Sequence, residues 1–121
     1  MSVITVLLAE DHQIVLEGLK VLLSYEEEIE IVGEATDGHT AVELVGKLKP
    51  DVVVMDIAMP QLNGLEATRQ IRHQNPKTKV IILSAHNDDA YVKQALDFGA
   101  SGYLLKQISG SALPEAIRQV H

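Results

Sequence analysis

The sequence predicts an α/β domain built on a doubly wound parallel sheet with helices on both faces. The chain has 121 residues, which suits one domain with one core. Apolar residues make up 46% of it but aromatic residues only 3%, which favours aliphatic strands packed beneath helices. Five short apolar runs alternate with five amphipathic segments, and this alternation is typical of a parallel sheet with crossover helices.

The first two strands flank a helix. The run VITVLLA at 3–9 is short and apolar, which predicts a strand. The segment 12–24 predicts a helix because its apolar residues recur at helical spacing, at Val15, Leu19, Leu22 and Leu23. The run IEIVGEA at 29–35 predicts the second strand, and its more polar composition indicates an edge position.

The middle of the chain predicts a strand between two helices. The segment 38–48 carries a second helical stripe, formed by Ala41, Leu44, Val45 and Leu48. Pro50 closes that helix. The run DVVVMD at 51–56 is the most apolar, so we expect it to be central. The segment 63–74 predicts a helix with a narrower face, formed by Leu65, Thr68, Ile71 and Arg72.

The last part of the chain repeats the alternation. Its two apolar runs are predicted to be strands, at 79–84 and 101–106. The segment 89–99 predicts a helix that ends at Gly99. The last helix is predicted over 111–120, with Ser111 as its N-cap. That choice leaves Pro114 in the first turn, where its missing N–H costs little.

Composition excludes several classes of protein. The chain has no cysteine, which excludes disulfides and thiolate metal sites and fits a cytoplasmic location. Its net charge of −7 argues against direct binding of DNA by this domain. No apolar run approaches the roughly 18 residues of a membrane span, and the first residues lack the basic region of a signal peptide. We therefore expect no association with a membrane.

Polar residues collect where the predicted strands end. The first strand is followed by Glu10 and Asp11, and the third ends at Asp56. Ser84 and Lys106 end the fourth and fifth strands. The carboxyl ends of parallel strands share one edge of the sheet, which is where such folds bind ligands. Three carboxylates in one cleft repel each other, and Mg²⁺, a hard cation that prefers oxygen ligands, would relieve that repulsion.

Each of these residues also has a structural interpretation. Asp11 could be the N-cap of the first helix, and Asp56 could cap the turn after its strand. Ser84 could be a plain loop hydroxyl, and Lys106 a solvated charge. All four would then coincide at one edge of one sheet by chance, so we favour the functional interpretation.

The residues at this edge resemble the receiver domain of two-component response regulators, over essentially the full chain. The resemblance rests on Glu10-Asp11, on Asp56 after an apolar strand with Pro60 and Gly64 behind it, on Ser84-Ala85, and on Tyr103 three residues before Lys106. The segments GASGYLLK and LSAHNDDAYVKQALDFGA are most similar to the NarL/FixJ subfamily, whose usual output is a LuxR-type helix-turn-helix. The resemblance implies a flavodoxin-like (βα)5 fold with strand order 2-1-3-4-5.

The resemblance also implies a role for each site residue. Asp56 would accept a phosphoryl group from a phosphohistidine of a sensor histidine kinase. Mg²⁺ would be held by a set of oxygen ligands, namely Glu10, Asp11, Asp56 and the backbone carbonyl of Ala58. Ser84 and Lys106 would bind the phosphoryl oxygens. Tyr103 would turn inward when Ser84 moves toward the phosphoryl group.

Two positions depart from the family pattern or vary within it. Gln107 stands where many family members have a proline in a cis bond after the lysine. A cis Lys106–Gln107 bond would cost about 3 kcal/mol without proline, so the geometry of that bond is open. Ala58 has no side chain that could orient a water molecule, whereas His86, two residues beyond Ser84, has one. We expect Ala58 and His86 to modulate the lifetime of the phosphoryl group.

Three rival functions share parts of this pattern. Haloacid-dehalogenase-type phosphatases also form an aspartyl phosphate, but they place a general acid two residues later, where this chain has Ala58. A flavodoxin-type flavin site would need an aromatic pocket. A pseudo-receiver would have lost Asp56, Lys106 or the acidic pair. We therefore expect a signalling domain that catalyses only its own phosphorylation and dephosphorylation.

We expect the DNA-binding output of the domain to lie outside residues 1–121, since the net charge of −7 argues against direct DNA binding by this domain. The resemblance to the NarL/FixJ subfamily implies a C-terminal helix-turn-helix DNA-binding domain in the native protein, and the end of the chain at His121, directly after the last helix, fits a piece of a longer protein. The alternative is a stand-alone receiver that regulates a protein partner. Readers of paired half-sites bind as dimers, so we expect a phosphorylation-dependent homodimer. Its candidate surface is the first helix, from His12 to Ser24, with the last, from Ser111 to Val120.

Overall fold

The computed structural model describes residues 3–59, 61–85, 89–106 and 109–121. It contains a five-stranded parallel sheet in the order β2-β1-β3-β4-β5, with a helix after every strand. In chain order the elements are β1 (Ile4–Ala9), α1 (Gln13–Ser24), β2 (Ile29–Ala35), α2 (Gly38–Leu48), β3 (Val52–Asp56), α3 (Gly64–Gln74), β4 (Lys79–Ser84), α4 (Asp89–Asp97), β5 (Gly102–Leu105) and α5 (Ser109–Val120). The predicted flavodoxin-like fold and its strand order are confirmed.

Alternating side chains of the strands build a core on each face of the sheet. On one face the strands pack against α1 and α5 through Leu16, Leu19, Leu23, Leu113 and Ile117. On the other face they pack against α2, α3 and α4 through Ala41, Val45, Ala67, Ile71 and Ala95. Every residue of β3 is buried, and β3 lies in the middle of the sheet, as its apolar sequence predicts. The more polar β2 is at the edge.

The last helix begins earlier than predicted. It starts at Ser109, so the prediction of Ser111 as its N-cap is wrong, and Pro114 lies inside the helix. Proline at this place removes one backbone hydrogen bond. Leu113 and Ile117 are fully buried against the sheet. Burial of these two side chains offsets the lost hydrogen bond, which local capping rules do not take into account.

The helix α4 is ended by Gly99, as predicted, but its last helical residue lies two residues earlier than the predicted end. The helix ends at Asp97, and Gly99 follows with a φ of 105°, a left-handed conformation that favours glycine. The N–H of Gly99 donates to the carbonyl of Leu96, and the N–H of Ala100 donates to that of Ala95. This is a Schellman C-cap, which turns the chain toward β5.

None of the helices in the described ranges combines the length and the apolar composition that a membrane span needs.

Candidate functional site

The register of the sheet brings the predicted site residues to one edge. Ala9 pairs with Met55, which places Glu10 and Asp56 at the same level beyond neighbouring strands. Asp56 pairs with Leu83, and Ser84 pairs with Leu105, so Ser84 and Lys106 follow at the same edge. The carboxyl ends of β1, β3, β4 and β5 therefore form one site, as expected for a parallel sheet.

Asp56 uses its two carboxylate oxygens differently. Its side chain is 1% exposed. Oδ1 accepts a hydrogen bond from the N–H of Ala58 at 3.2 Å. The turn-capping interpretation of Asp56 is therefore correct for this one oxygen. Oδ2 lies 3.2 Å from Nζ of Lys106, but within the described part of the chain it accepts no hydrogen bond of adequate geometry. Burial raises the pKa of Asp56, and the neighbouring Glu10 raises it further.

Glu10 is the second buried carboxylate of the site. Oε2 accepts a hydrogen bond from the backbone N–H of His12 at 3.1 Å and lies 3.0 Å from Nδ1 of the same residue. Oε1 lies 3.4 Å from Nζ of Lys106, and among the residues described it too accepts no hydrogen bond. Each of the two buried acids thus has one oxygen that accepts no hydrogen bond from a described residue and shares the ammonium of Lys106, so a further cation at this position would lower the free-energy cost of burying both.

Lys106 and Ser84 do not have the solvated positions of their structural interpretations. Lys106 follows β5, and its side chain is 23% exposed while its ammonium faces both buried acids. Ser84 is the last residue of β4 and is fully buried. A buried hydroxyl and a partly buried ammonium at this edge are the groups that the sequence assigned to the binding of phosphoryl oxygens.

Asp11 and His12 form the exposed side of the site. The N-cap of α1 is His12, not Asp11, so the N-cap interpretation of Asp11 is wrong. Nδ1 of His12 lies 3.3 Å from Oδ1 of Asp11 and 3.9 Å from Oδ2 of Asp56. A hydrogen bond with Glu10, and then the charge of Asp11, raise the pKa of His12. Sequence reasoning missed His12 as a site residue, although its position directly after two strand-end acids was a usable signal.

Close backbone approaches hold the loop between β3 and α3 beside Asp56. The N–H of Gly64 donates to the carbonyl of Ile57 at 2.9 Å, and a Cβ at Gly64 would lie 2.3 Å from the carbonyl oxygen of Asp56. Gly38, at the start of α2, meets the same loop: a Cβ there would lie 1.9 Å from the carbonyl oxygen of Leu62. Glycine is therefore required at two positions that fix the course of this loop.

The donor set of the site suits a divalent cation. Glu10, Asp11, His12 and Asp56 each offer one ligand atom, and these atoms lie within 4.8 Å of one another. Two of these residues, Glu10 and Asp56, each carry a buried oxygen that accepts no hydrogen bond from a described residue. Three carboxylates are the ligands that a hard cation such as Mg²⁺ prefers. The residues present thus fit the ion that the sequence implies.

The remaining predicted site residues have different outcomes. Tyr103 is half-buried in β5 and packs against the core on the α2, α3 and α4 face. The structure does not test its role as a switch. His86 lies outside the described residues, and so do Pro60 and Gln107, so the predicted modulation by His86 and the geometry of the Lys106–Gln107 bond stay predictions.

This fold, with an acidic site at the carboxyl edge of its parallel sheet, is that of a receiver-type domain. The family model for the response regulator receiver domain matches residues 6–118. The chain belongs to this family, and the resemblance inferred from the sequence is confirmed. The match favours the receiver over the phosphatase and flavin-binding rivals, and the presence of Asp56, Lys106 and the acidic pair argues against a pseudo-receiver.

The relatives are transcriptional regulators of about twice this length. The chain is 49% identical over 117 residues to the transcriptional regulatory protein DegU of Brevibacillus brevis. This match covers 97% of this chain and 50% of that protein. Among solved structures, the signal receiver domain of NarL from Mycobacterium tuberculosis has a TM-score of 0.94 and 34% identity, covering 98% of this chain and 96% of that one. A LuxR-family response regulator from Aurantimonas has a TM-score of 0.93 and 35% identity, and the match covers 98% of this chain and 85% of that one.

Proposed function

We propose that Asp56 is the phosphoacceptor of this domain and that the phosphoryl donor is a phosphohistidine of a sensor histidine kinase. The observation that carries the proposal is the buried carboxylate of Asp56, which faces Lys106 at 3.2 Å beside a second buried acid. In the reaction, a carboxylate oxygen of Asp56 forms a bond to phosphorus while the P–N bond to the donor imidazole breaks. The electron pair of that bond stays on the imidazole nitrogen.

The residues around Asp56 support the transfer in separate ways. Glu10, Asp11 and Asp56, with the backbone carbonyl of Ala58, would hold Mg²⁺. When bound, that ion neutralises charge on the carboxylates and on the incoming phosphoryl oxygens. The ammonium of Lys106 and the hydroxyl of Ser84 bind phosphoryl oxygens after transfer. The domain catalyses only its own phosphorylation and dephosphorylation, since position 58 carries no acid that could serve a phosphatase.

The test is the transfer of one phosphoryl group from a small donor. With acetyl phosphate and Mg²⁺, intact mass spectrometry should show the addition of one phosphate. Asp56→Asn should abolish the addition, whereas Asp97→Asn, which alters an exposed acid on α4, should keep it. A mass gain that persists in Asp56→Asn would refute the assignment of the phosphoacceptor.

A second measurement examines the metal role of Asp11. This acid is exposed and lies in the cluster of donors. Asp11→Ala removes one oxygen ligand and should raise the Mg²⁺ concentration needed for phosphorylation. An unchanged Mg²⁺ titration would argue against a ligand role for Asp11.

We further propose that phosphorylation controls a DNA-binding domain that follows His121 in the native protein. This chain spans about half the length of the curated relatives it matches, and those relatives are named transcriptional regulators. Their names and lengths support this proposal over a stand-alone receiver that regulates a protein partner. The isolated domain should show no measurable affinity for DNA at physiological salt, consistent with its net charge of −7.

A phosphorylation-dependent homodimer remains part of the proposal. Helices α1 and α5 pack on the same face of the sheet and contact each other, which keeps them together as the candidate surface. Analytical ultracentrifugation of the domain with and without beryllofluoride should show a shift toward dimer. Equal sedimentation in both states would remove dimerisation from the proposal.

The cytoplasmic location expected from the sequence stays a prediction.

A further inference from the structure

The acidic site contains an imidazole that the oxygen chemistry of Mg²⁺ does not need. His12 places Nδ1 at 3.0 Å from Oε2 of Glu10, 3.3 Å from Oδ1 of Asp11 and 3.9 Å from Oδ2 of Asp56. The side chain of His12 is 62% exposed, so nothing in its burial forces the ring toward the three acids. His12 is one of the four residues whose donor atoms lie within 4.8 Å of one another.

The spacing of these atoms matches that of ligands on one ion. With metal–ligand bonds of about 2.1 Å, neighbouring ligands lie about 3.0 to 3.4 Å apart and opposite ligands about 4.2 Å apart. The separations of 3.0 Å and 3.3 Å fall in the first range, and that of 3.9 Å falls below the second. The widest separation within the cluster is under 4.8 Å, so closure around an ion needs shifts of less than about 1 Å.

Nitrogen changes which ions such a site favours. Carboxylate and carbonyl oxygens suit Mg²⁺, whereas imidazole suits Zn²⁺, Ni²⁺ and related first-row ions. A site with three carboxylates and one imidazole offers both kinds of donor. Oε1 of Glu10 and Oδ2 of Asp56 are buried and accept no hydrogen bond from any described residue, and both face the ammonium of Lys106. One positive charge thus serves two buried carboxylates, which favours the binding of a further cation beside them.

We propose that His12 is a nitrogen ligand of the divalent cation site and extends its selectivity from Mg²⁺ to first-row transition ions such as Ni²⁺ and Zn²⁺. The inference rests on the proposed function, because it concerns the same cation position beside Asp56. It adds a fourth side chain to the predicted ligands, and it adds a nitrogen donor to a site for which the sequence predicts only oxygen ligands.

The decisive variant is His12→Ala, compared with His73→Ala. His12 is the N-cap of α1, but its side chain makes no capping hydrogen bond to any residue that the structure describes, so its removal should leave the helix intact. Its backbone N–H, which donates to Glu10, is retained in the variant. His73 is exposed near the far end of α3 from the site and controls for adventitious binding by surface histidines.

Isothermal titration calorimetry with Ni²⁺ alone and with Mg²⁺ alone supplies a readout that does not depend on phosphorylation. His12→Ala should lower the affinity for Ni²⁺ by at least about tenfold and change that for Mg²⁺ by less than about threefold. His73→Ala should leave the affinity for both ions at the site unchanged. Asp11→Asn should weaken both ions, because it removes a shared oxygen ligand.

Two outcomes would overturn the inference. Equal Ni²⁺ affinity in the wild type and in His12→Ala would remove His12 from the ligands. A parallel loss of Ni²⁺ and Mg²⁺ would assign His12 to positioning of Glu10 instead. Failure of the proposed function is distinguishable, since the wild type would then bind no Mg²⁺ and gain no phosphate, whereas failure of this inference leaves both intact.

Discussion

Oδ2 of Asp56 lies 3.2 Å from Nζ of Lys106, and both groups also face Glu10 across a buried site. One ammonium therefore balances two buried carboxylates. Lys106 is itself 23% exposed, so the balance is partly screened by water. The site can therefore accept additional positive charge. The free energy of unfolding of the domain should change when any of these charges is removed.

Removal of the charge of Asp56 should stabilise the metal-free domain. Asp56→Asn leaves one buried carboxylate beside Lys106 instead of two, and the amide oxygen can still accept from the N–H of Ala58. We expect the free energy of unfolding to rise by about 1–2 kcal/mol in the presence of EDTA. Urea denaturation measures it, with the exposed Glu30→Gln as the control. A lower stability of Asp56→Asn would show that the pair with Lys106 outweighs the repulsion.

Removal of Lys106 should have the opposite effect, and Mg²⁺ should diminish it. Lys106→Ala leaves Glu10 and Asp56 facing each other without the ammonium. We expect a loss of about 1–2 kcal/mol in EDTA, less than for a fully buried pair because the lysine is partly exposed. Saturating Mg²⁺ should recover part of this loss. The same loss with and without Mg²⁺ would mean that Lys106 contributes through packing and not through charge.

Tyr103 should become more buried when the site is occupied by a phosphoryl mimic. A ligand shifts a conformational equilibrium only by binding one state better than the other. Hydrogen bonds from Ser84 and Lys106 to the mimic could supply that difference. Crystal structures with and without beryllofluoride should therefore show different environments for the half-buried ring of Tyr103. An identical rotamer and exposure in both would contradict the switch role.

Gly38 should be needed for the loop that follows Asp56. In Gly38→Ala the added Cβ would meet the carbonyl of Leu62 at 1.9 Å, so the loop has to move. We expect a loss of about 1–3 kcal/mol in the free energy of unfolding and slower phosphorylation by acetyl phosphate. The matched control is Gly46→Ala in the same helix, where no described atom outside the adjacent residues and the nearby helix backbone lies within 4 Å of the new Cβ. That variant should be neutral or stabilised by up to about 1 kcal/mol. Equal behaviour of the two variants would exclude the positioning role.

Asp37 should make the stability of α2 depend on acid. Its side chain accepts hydrogen bonds from the N–H and hydroxyl of Thr40, and the backbone hydrogen bond is the main cause of its lowered pKa. A carboxyl whose pKa is lowered on folding stabilises the fold above the pKa of the unfolded chain, near 4, and loses that effect as pH falls through the folded value. Asp37→Ala should cost about 1 kcal/mol at pH 7 and progressively less below about pH 4. Urea denaturation across this range measures the difference, and a cost that does not change with pH would contradict the charge effect.

Much of the fold could be predicted from the sequence because the signals are local. Alternation of apolar runs and helical stripes located all five strands and all five helices, and the apolar character of β3 and the polarity of β2 placed them correctly in the sheet. The individual buried positions were less accessible. In α1 the fully buried residues include Leu16, which the predicted stripe omitted, and Leu48 of α2 is 44% exposed. Which side of an apolar stripe faces the sheet depends on the angle at which the helix packs.

By itself, the sequence determined which acids, hydroxyl and ammonium stand at the strand ends, and parallel pairing then required that they share one edge. Only the tertiary structure decided which of these groups contact each other. Lys106 faces two acids, and Glu10 and Asp56 each have an oxygen that accepts no hydrogen bond from a described residue. His12 lies in the same cluster of donor atoms. The tertiary structure also decided that α5 starts at Ser109. Strand periodicity follows from neighbours in the chain, whereas side-chain distances and burial arise from residues that are far apart in sequence and meet only when the sheet forms.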